Sequence, residues 1–301
     1  MPMNTLTHQK MELFLRCRKK FRETVAKNRG QVSPEQQVAQ IVGKAVELAT
    51  ATSDLEKRQV IIEAAMQQIA DEDQTVEALQ RVKNCVSRSD ELRSDERASA
   101  VRTQRQFKWF DEVTRWTLMA KPDFTRFARD DRGPVLQIID EKTAGHVTSY
   151  QKRFLHFLGF VIGKQLDEEK RQLFAEAKRL DIQPTYALKE NSFLAELVNE
   201  FGIDVIYQNV SIELVIRLLG DSDNPEDKPR EVSIGFKKRS RDWQQLAEIR
   251  EVITGIEAAF DAAEFPGKPG WYCEKCPFRS TCAAYQAQLA QHAVDELSAT
   301  A

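Results

Sequence analysis

Two short stretches hold residues able to perform hydrolytic chemistry together. They are Pro122-Asp123 and, further along, Asp140-Glu141-Lys142 at the end of the apolar run Val135-Leu-Gln-Ile-Ile139. In an extended segment residues two apart share a face, so Asp140 and Lys142 point together while Glu141 points away. Asp123, on the neighbouring strand of a hairpin, reaches the same place. Two carboxylates beside an ammonium supply hard oxygen ligands for Mg²⁺ or Mn²⁺ and a cation that stabilises developing charge and orients water. Those are the requirements of phosphodiester hydrolysis. An isolated Asp-x-Lys is more often a salt bridge at a solvated strand end, so the reading depends on the second acid.

A second constellation closes the chain. Trp271-Tyr-Cys273-Glu-Lys-Cys276-Pro-Phe-Arg-Ser-Thr-Cys282 spaces three thiols as C-x2-C-x5-C. Two thiolates separated by two residues wrap one centre, and the third closes the loop. A fourth ligand would come from Cys17, Cys85, His292 or a group other than cysteine. Cys85 lies in a helical apolar run and reads as a small buried hydrophobe. Five cysteines are an odd number, and with three crowded together they suit a reduced, cytoplasmic setting and a metal site better than a disulfide framework. The four histidines show no zincin spacing and no paired nucleophile, and His146 reads as a polar loop residue at the edge of the carboxylate site.

The elements that must position these groups follow from apolar period. A helix is expected over about 6–27, and Ser33-Pro34 caps and opens a helical stretch running to about residue 100. Glu47 follows Gly43 within it. Two strands around Phe107–Trp109 and Trp116–Leu118 come next, then a hairpin of 122–128 and 135–140 across the turn-forming Arg129-Asp-Asp-Arg-Gly133. The near-continuous apolar character of 135–139 marks an interior strand. After Gly145 helical spacing runs to about Leu180. A short helix (187–201), strands near 205–219 and 230–238 around a polar, Pro-containing loop, and a helix near 241–263 complete the series.

Composition narrows the classes. The chain has 301 residues, 42% hydrophobic and 30% charged, with a net charge of -2. That excludes collagen-like and disulfide-scaffold compositions, disorder as the default, and any apolar stretch long enough for a membrane helix. The charge is uneven: residues 1–30 contain eight lysines and arginines, among them Arg16, Arg18, Lys19, Lys20 and Arg22, against Glu12 and Glu23. An Arg-rich start can signal a transit peptide, but Cys17 and its apolar neighbours fit a packed helix of the mature fold. Lys237, Lys238, Arg239 and Arg241 form a second basic patch, read as a solvated face.

The carboxylate and lysine motif resembles that of the PD-(D/E)XK nuclease superfamily, and of its RecB-like branch in particular. Pro122-Asp123 matches the first half, Asp140-Glu141-Lys142 the second, and Gln151 the glutamine that follows on the next helix. The resemblance implies Asp123 and Asp140 as metal ligands, the Glu141 carbonyl as a third, Lys142 on the attacking water and Gln151 near the substrate backbone. Two positions depart from the pattern. Glu47 stands where an early histidine is common, and is expected to bind metal in its place; Leu155 stands where a tyrosine is usual.

Leu15-Arg-Cys17-Arg-Lys-Lys-Phe21 and the C-terminal cysteines resemble the iron-sulfur staple of AddB-type and CRISPR-associated RecB-like nucleases. This implies a 4Fe-4S cluster on Cys17, Cys273, Cys276 and Cys282, with structural zinc on the same thiols as the alternative. The expected fold is α/β, a restriction-endonuclease-like core with a central mixed sheet flanked by helices. It would form a single domain over 1–301, with a helical insertion (34–100), a catalytic core (103–240), and ends (1–30 and 266–285) joined by the cluster. The expected function is metal-dependent cleavage of DNA, exonucleolytic on single-stranded or frayed ends, in repair, recombination or CRISPR-related processing. A helicase or CRISPR-adaptation protein is the expected partner, and no membrane. The rival reading is a non-catalytic iron-sulfur DNA-binding subunit or structural partner of a nuclease/helicase complex.

Overall fold

The computed structural model describes residues 5–26, 34–50, 52, 54–94, 101–103, 105–142, 146–219, 229–235, 238–274 and 276–299. In chain order the elements are β1 (Thr5–Leu6), α1 (His8–Arg16), α2 (Arg18–Phe21), α3 (Pro34–Thr50), α4 (Leu55–Met66), α5 (Glu72–Ser94), β2 (Val101–Thr103), β3 (Phe107–Asp111), β4 (Trp116–Ala120), β5 (Phe124–Asp130), β6 (Gly133–Lys142), α6 (Ser149–Leu180), α7 (Phe193–Phe201), β7 (Ser211–Leu218), β8 (Arg230–Ile234), α8 (Lys238–Asp261) and α9 (Ala283–Ala299). The expected cap at Ser33, Gly145, most of the Pro-containing loop and Lys237 of the second basic patch lie outside the described residues. Among the described residues no helix is long and apolar enough to cross a membrane.

The chain divides into two compact units. The larger, Val38–Phe110 with Thr117–Asp242, is built on a five-stranded sheet of order β2-β5-β6-β7-β8. β6 pairs antiparallel with β5 and parallel with β7, so it is an interior strand, as its apolar run implied. Leu136, Ile138, Leu214 and Ile216 are fully buried on one face of the sheet, against which α6 lies. Each such side chain contributes roughly 1.5–3 kcal/mol on burial. Helices α3, α4 and α5 form a core of their own around Val46, Ile62, Val82 and Cys85, which Leu219 joins at the end of β7. Rings of Phe107, Phe127, Phe193 and Phe201 pack in sequence, most of them edge to face. This is the mixed α/β architecture expected of a restriction-endonuclease-like core.

Two elements start later than their periodicity suggests. α7 begins at Phe193, where the Ser192 hydroxyl accepts from the Ala195 N–H, and β7 begins at Ser211 because residues 203–206 wind into a tight turn after Gly202. Gly202 has φ 87°, a conformation that ends α7 without strain only in glycine.

The smaller unit comprises Met1–Gln37, Asp111–Trp116 and Trp243–Ala301. Its polar ties include a bidentate pair from Arg250 to Asp111, at 2.9 and 2.6 Å, and a bond from Trp116 Nε1 to Glu257 at 2.8 Å. The helix expected over 6–27 is interrupted. Cys17 adopts an extended conformation (φ -159°, ψ 107°) that ends α1 and starts α2. The apolar period carries through this point, with Phe14 and Phe21 in edge-to-face contact across it.

Candidate active site and cysteine cradle

Asp140 and Lys142 occupy the last turns of the β6 pleat and share one face, as the strand period requires. Lys142 Nζ lies 2.7 Å from both oxygens of Asp140 and donates to Oδ1. Asp123 immediately precedes β5, and its Oδ2 accepts the Glu141 N–H at 2.9 Å. That bond brings the first carboxylate to the second, since Glu141 follows Asp140 directly. Pro122 limits the chain to extended geometry at this corner.

Electrostatics distinguish this pair from a surface salt bridge. Asp140 is 1% exposed, and the Lys142 ammonium lies against both of its oxygens. Burial, reinforced by the charge of Asp140, pushes Asp123 up to about 8, while Lys142 and the Glu141 N–H oppose the rise. Burial pulls Lys142 down, but the charges of Asp140 and Asp123 outweigh it and leave the ammonium held above its ordinary value. Two carboxyls converging beside one ammonium, with Asp123 held well above the usual carboxylate range, have the chemistry of a divalent-cation site. The donor set fits Mg²⁺ or Mn²⁺.

The other expected site residues are placed as follows. The Glu141 side chain points away from the pair and accepts from Ser89 Oγ at 2.7 Å and from Arg217 at 3.2 Å. Arg217, itself 1% exposed, also pairs with Glu231. Gln151 Oε1 accepts the Thr148 N–H at 2.7 Å, and Thr148 Oγ1 accepts from Gln151 N, a capping box that starts α6. Glu47 lies on α3 between Lys44 (2.7 Å) and Lys121 (3.6 Å), two residues before Asp123. Among the described residues no set of three or more His, Cys, Asp or Glu side chains is arranged to hold a single ion.

Two site residues were not anticipated. The Phe154 ring lies 5.7 Å from Lys142 Nζ, and Tyr150 stands near enough to act on the Lys142 charge. They flank Gln151 on the first turns of α6 and supply aromatic contact although Leu155 replaces the usual tyrosine. The signal for them was present in Tyr150-Gln-Lys-Arg-Phe154, where positions i and i+4 share a helix face.

In the smaller unit, Cys17, Cys273, Cys276 and Cys282 line one cavity together with Lys19, Tyr272 and other residues. Burial, and the neighbouring thiols, raise Cys273. Tyr272 OH reaches the carbonyls of Arg16 (2.6 Å) and Lys268 (2.7 Å), and Lys19 donates to the Thr281 carbonyl, so N-terminal and C-terminal segments meet around the thiols. A Cβ at Gly267 would fall 2.9 Å from Cys282 Sγ; only glycine leaves that sulfur its place. Cys85 stands apart within the α3–α5 core, where burial pushes its thiol up to about 11, as expected of an inert packing cysteine.

No curated protein matches this sequence. A family model for the PD-(D/E)XK nuclease superfamily matches residues 5–283, which include both the carboxylate pair and the four cysteines of the cradle.

Proposed function

Because the chain belongs to the PD-(D/E)XK nuclease superfamily, we propose that it is an Mg²⁺- or Mn²⁺-dependent deoxyribonuclease of the RecB-like branch. It acts exonucleolytically on single-stranded or frayed DNA ends, in repair, recombination or CRISPR-related processing in the cytoplasm, alongside a helicase or CRISPR-adaptation protein. Residues 103–240 serve as the catalytic core and 34–100 as a helical insertion. The observation that carries this reading is the convergence of Asp123, Asp140 and Lys142 at the end of β6, with a buried acceptor oxygen on Asp140.

Asp123 and Asp140 would hold the ion, and the Glu141 carbonyl is the third candidate ligand. A bound divalent ion supplies a Lewis acid for the phosphate and lowers the pKa of water. Lys142 is held protonated by both carboxylates, so it acts by charge and hydrogen-bond donation toward the phosphate and the attacking water rather than as a base. Asp123 must give up its carboxyl proton before it can ligate. The Phe154 ring beside the ammonium displaces part of its hydration, which strengthens its interactions in the site.

The four cysteines of the cradle bind a 4Fe-4S cluster in this reading. What supports this reading is that all four thiols line one cavity, three of them spaced C-x2-C-x5-C; structural zinc on the same thiols is the alternative. The experiment is incubation of end-labelled single- and double-stranded DNA, blocked at one terminus or the other, with Mg²⁺, Mn²⁺ or chelator. Stepwise shortening from a free end, absent in chelator, is expected. A circular single strand cut as fast as a linear one would remove the exonuclease assignment, and no cleavage with either metal would leave the non-catalytic DNA-binding reading.

A further inference from the structure

Trp271 is 81% exposed, although large aromatic side chains normally find cover. It is not a stray surface hydrophobe. Its ring meets that of Tyr272 edge to face, at 5.8 Å between centroids. The Arg16 guanidinium lies 5.8 Å from the Trp271 ring and 5.9 Å from the Tyr272 ring. Tyr272 is fixed in turn by its hydroxyl on the Arg16 and Lys268 carbonyls. Gly270 permits the arrangement, since a Cβ there would fall 2.8 Å from the Tyr272 ring. One aromatic is thus folded in and its neighbour held out, with a cation over both. Tyr272 also borders the cysteine cavity, whose other lining residues include Lys20, Lys268 and Arg279. Glu274 is the one acid in the sequence from Pro266 to Gln286.

We propose that Trp271, braced by Tyr272 and Arg16, is a stacking platform for an unpaired base of a single-stranded polynucleotide whose phosphates lie along Lys20 and Lys268. Every base has a π-face and every nucleotide a phosphate, so a rigid exposed ring within a cationic surround fits this ligand without demanding a sequence. An apolar protein partner would gain the ring but would leave the surrounding cations desolvated without counter-charge. Base-paired DNA presents its faces only at its ends, so the platform discriminates unpaired from paired strands. The inference deepens the nucleic-acid reading above by naming where the strand is held, but it does not need cleavage to be tested.

The test uses the full chain in chelator with fluorescein-labelled dT20, followed by anisotropy. Trp271→Ala should weaken binding by about 5- to 100-fold, the range measured for loss of one base–aromatic stack. Trp271→Phe should stay within about threefold, and Trp271→Leu, which keeps apolar bulk without the π-face, should behave as the alanine variant. The salt dependence separates stacking from charge. Trp271→Ala should leave the slope of log Kd against log salt unchanged, while Lys20→Ala and Lys268→Ala should each flatten it by about 0.7. Binding of a blunt 20-base-pair duplex should change less than about twofold in Trp271→Ala, because few base faces are free. Variants are compared only where their unfolding midpoints equal the wild type, and the leucine and phenylalanine variants decide if alanine does not fold. Folded Trp271→Leu binding dT20 as tightly as the wild type would overturn the proposal. Loss of all cleavage activity with Trp271-dependent binding intact would defeat the nuclease reading instead.

Discussion

Replacing Asp123 by asparagine should make the metal-free protein more stable while abolishing its chemistry. Asparagine keeps an oxygen for the Glu141 N–H and offers an amide hydrogen to Asp140, so it imitates the protonated carboxyl. Two unit charges at about 4 Å repel by about 4 kcal/mol at an effective dielectric constant of 20. Lys142 offsets part of this and burial adds to it, so ionised Asp123 costs the fold about 2–4 kcal/mol.

The sign follows from linkage. The unfolded chain releases the Asp123 proton near pH 4, whereas the folded state keeps it up to about 8. The folded protein therefore binds the extra proton between those values, and wild-type stability from this group is fully present below pH 4 and lost as pH rises to 8. The asparagine variant lacks that slope. In thermal denaturation with chelator, its midpoint should match the wild type near pH 4.5 and exceed it by roughly 3–6 °C at pH 8.5, for a chain of this length. Mg²⁺ should then raise the wild-type midpoint and not that of Asp123→Asn, since only a state that binds the ion is stabilised by it. Parallel midpoints from pH 4.5 to 8.5, or a variant less stable at pH 8.5, would show that the two carboxyls do not confront one another.

Asp140→Ala should abolish cleavage of labelled DNA with either metal, and Lys142→Ala should slow single-turnover cleavage by at least ~100-fold, as for loss of one transition-state donor. Serine at Cys17, Cys273, Cys276 or Cys282 should bleach the brown absorption of a 4Fe-4S cluster and lower the unfolding midpoint, while Cys85→Ser keeps the colour; colourless protein with stoichiometric zinc would replace the cluster by a single ion. Gly267→Ala should reduce the cluster content measured by iron and sulfide analysis, because its Cβ would fall 2.9 Å from Cys282 Sγ. Lys142→Ala retaining full activity, or Gly267→Ala a full cluster, would count against the corresponding site.

What could be read from the sequence was what local period determines. The apolar run 135–139 became interior strand β6, and its alternation set Asp140 with Lys142 and Glu141 opposite. The break at Cys17 was hidden, because Leu13, Phe14 and Phe21 keep helical spacing while only the backbone of one residue turns extended. Thr148-x-x-Gln151 is a capping-box signature that local chemistry alone announces. Ion pairs such as Lys121 with Glu47, and Arg217 with Glu141, join residues 74 and 76 positions apart. No local pattern encodes such partners, since the pairing exists only once the sheet and the helical core have formed.

The residue that faces away from the chemistry is the one that places it. Glu141 donates its N–H to Asp123, and its carboxylate is tied on the opposite side to Arg217, beside it in register on β7, and to Ser89 on α5. A buried ion pair of this kind contributes little net stability, because desolvation consumes most of the Coulombic gain. Its effect is positional: a displaced Glu141 would leave its own charge and that of Arg217 uncompensated, so the β6 terminus is held to one register. Asp140 and Lys142, one residue to either side, inherit that constraint, and Asp123 receives it through a single backbone hydrogen bond. Once Asp123 ionises, the two carboxylates would otherwise relax apart. The buried network on the opposite face of the strand thus holds the aspartates in the proximity that makes them an ion site, so the alternation of one strand supplies both the reactive groups and their restraint.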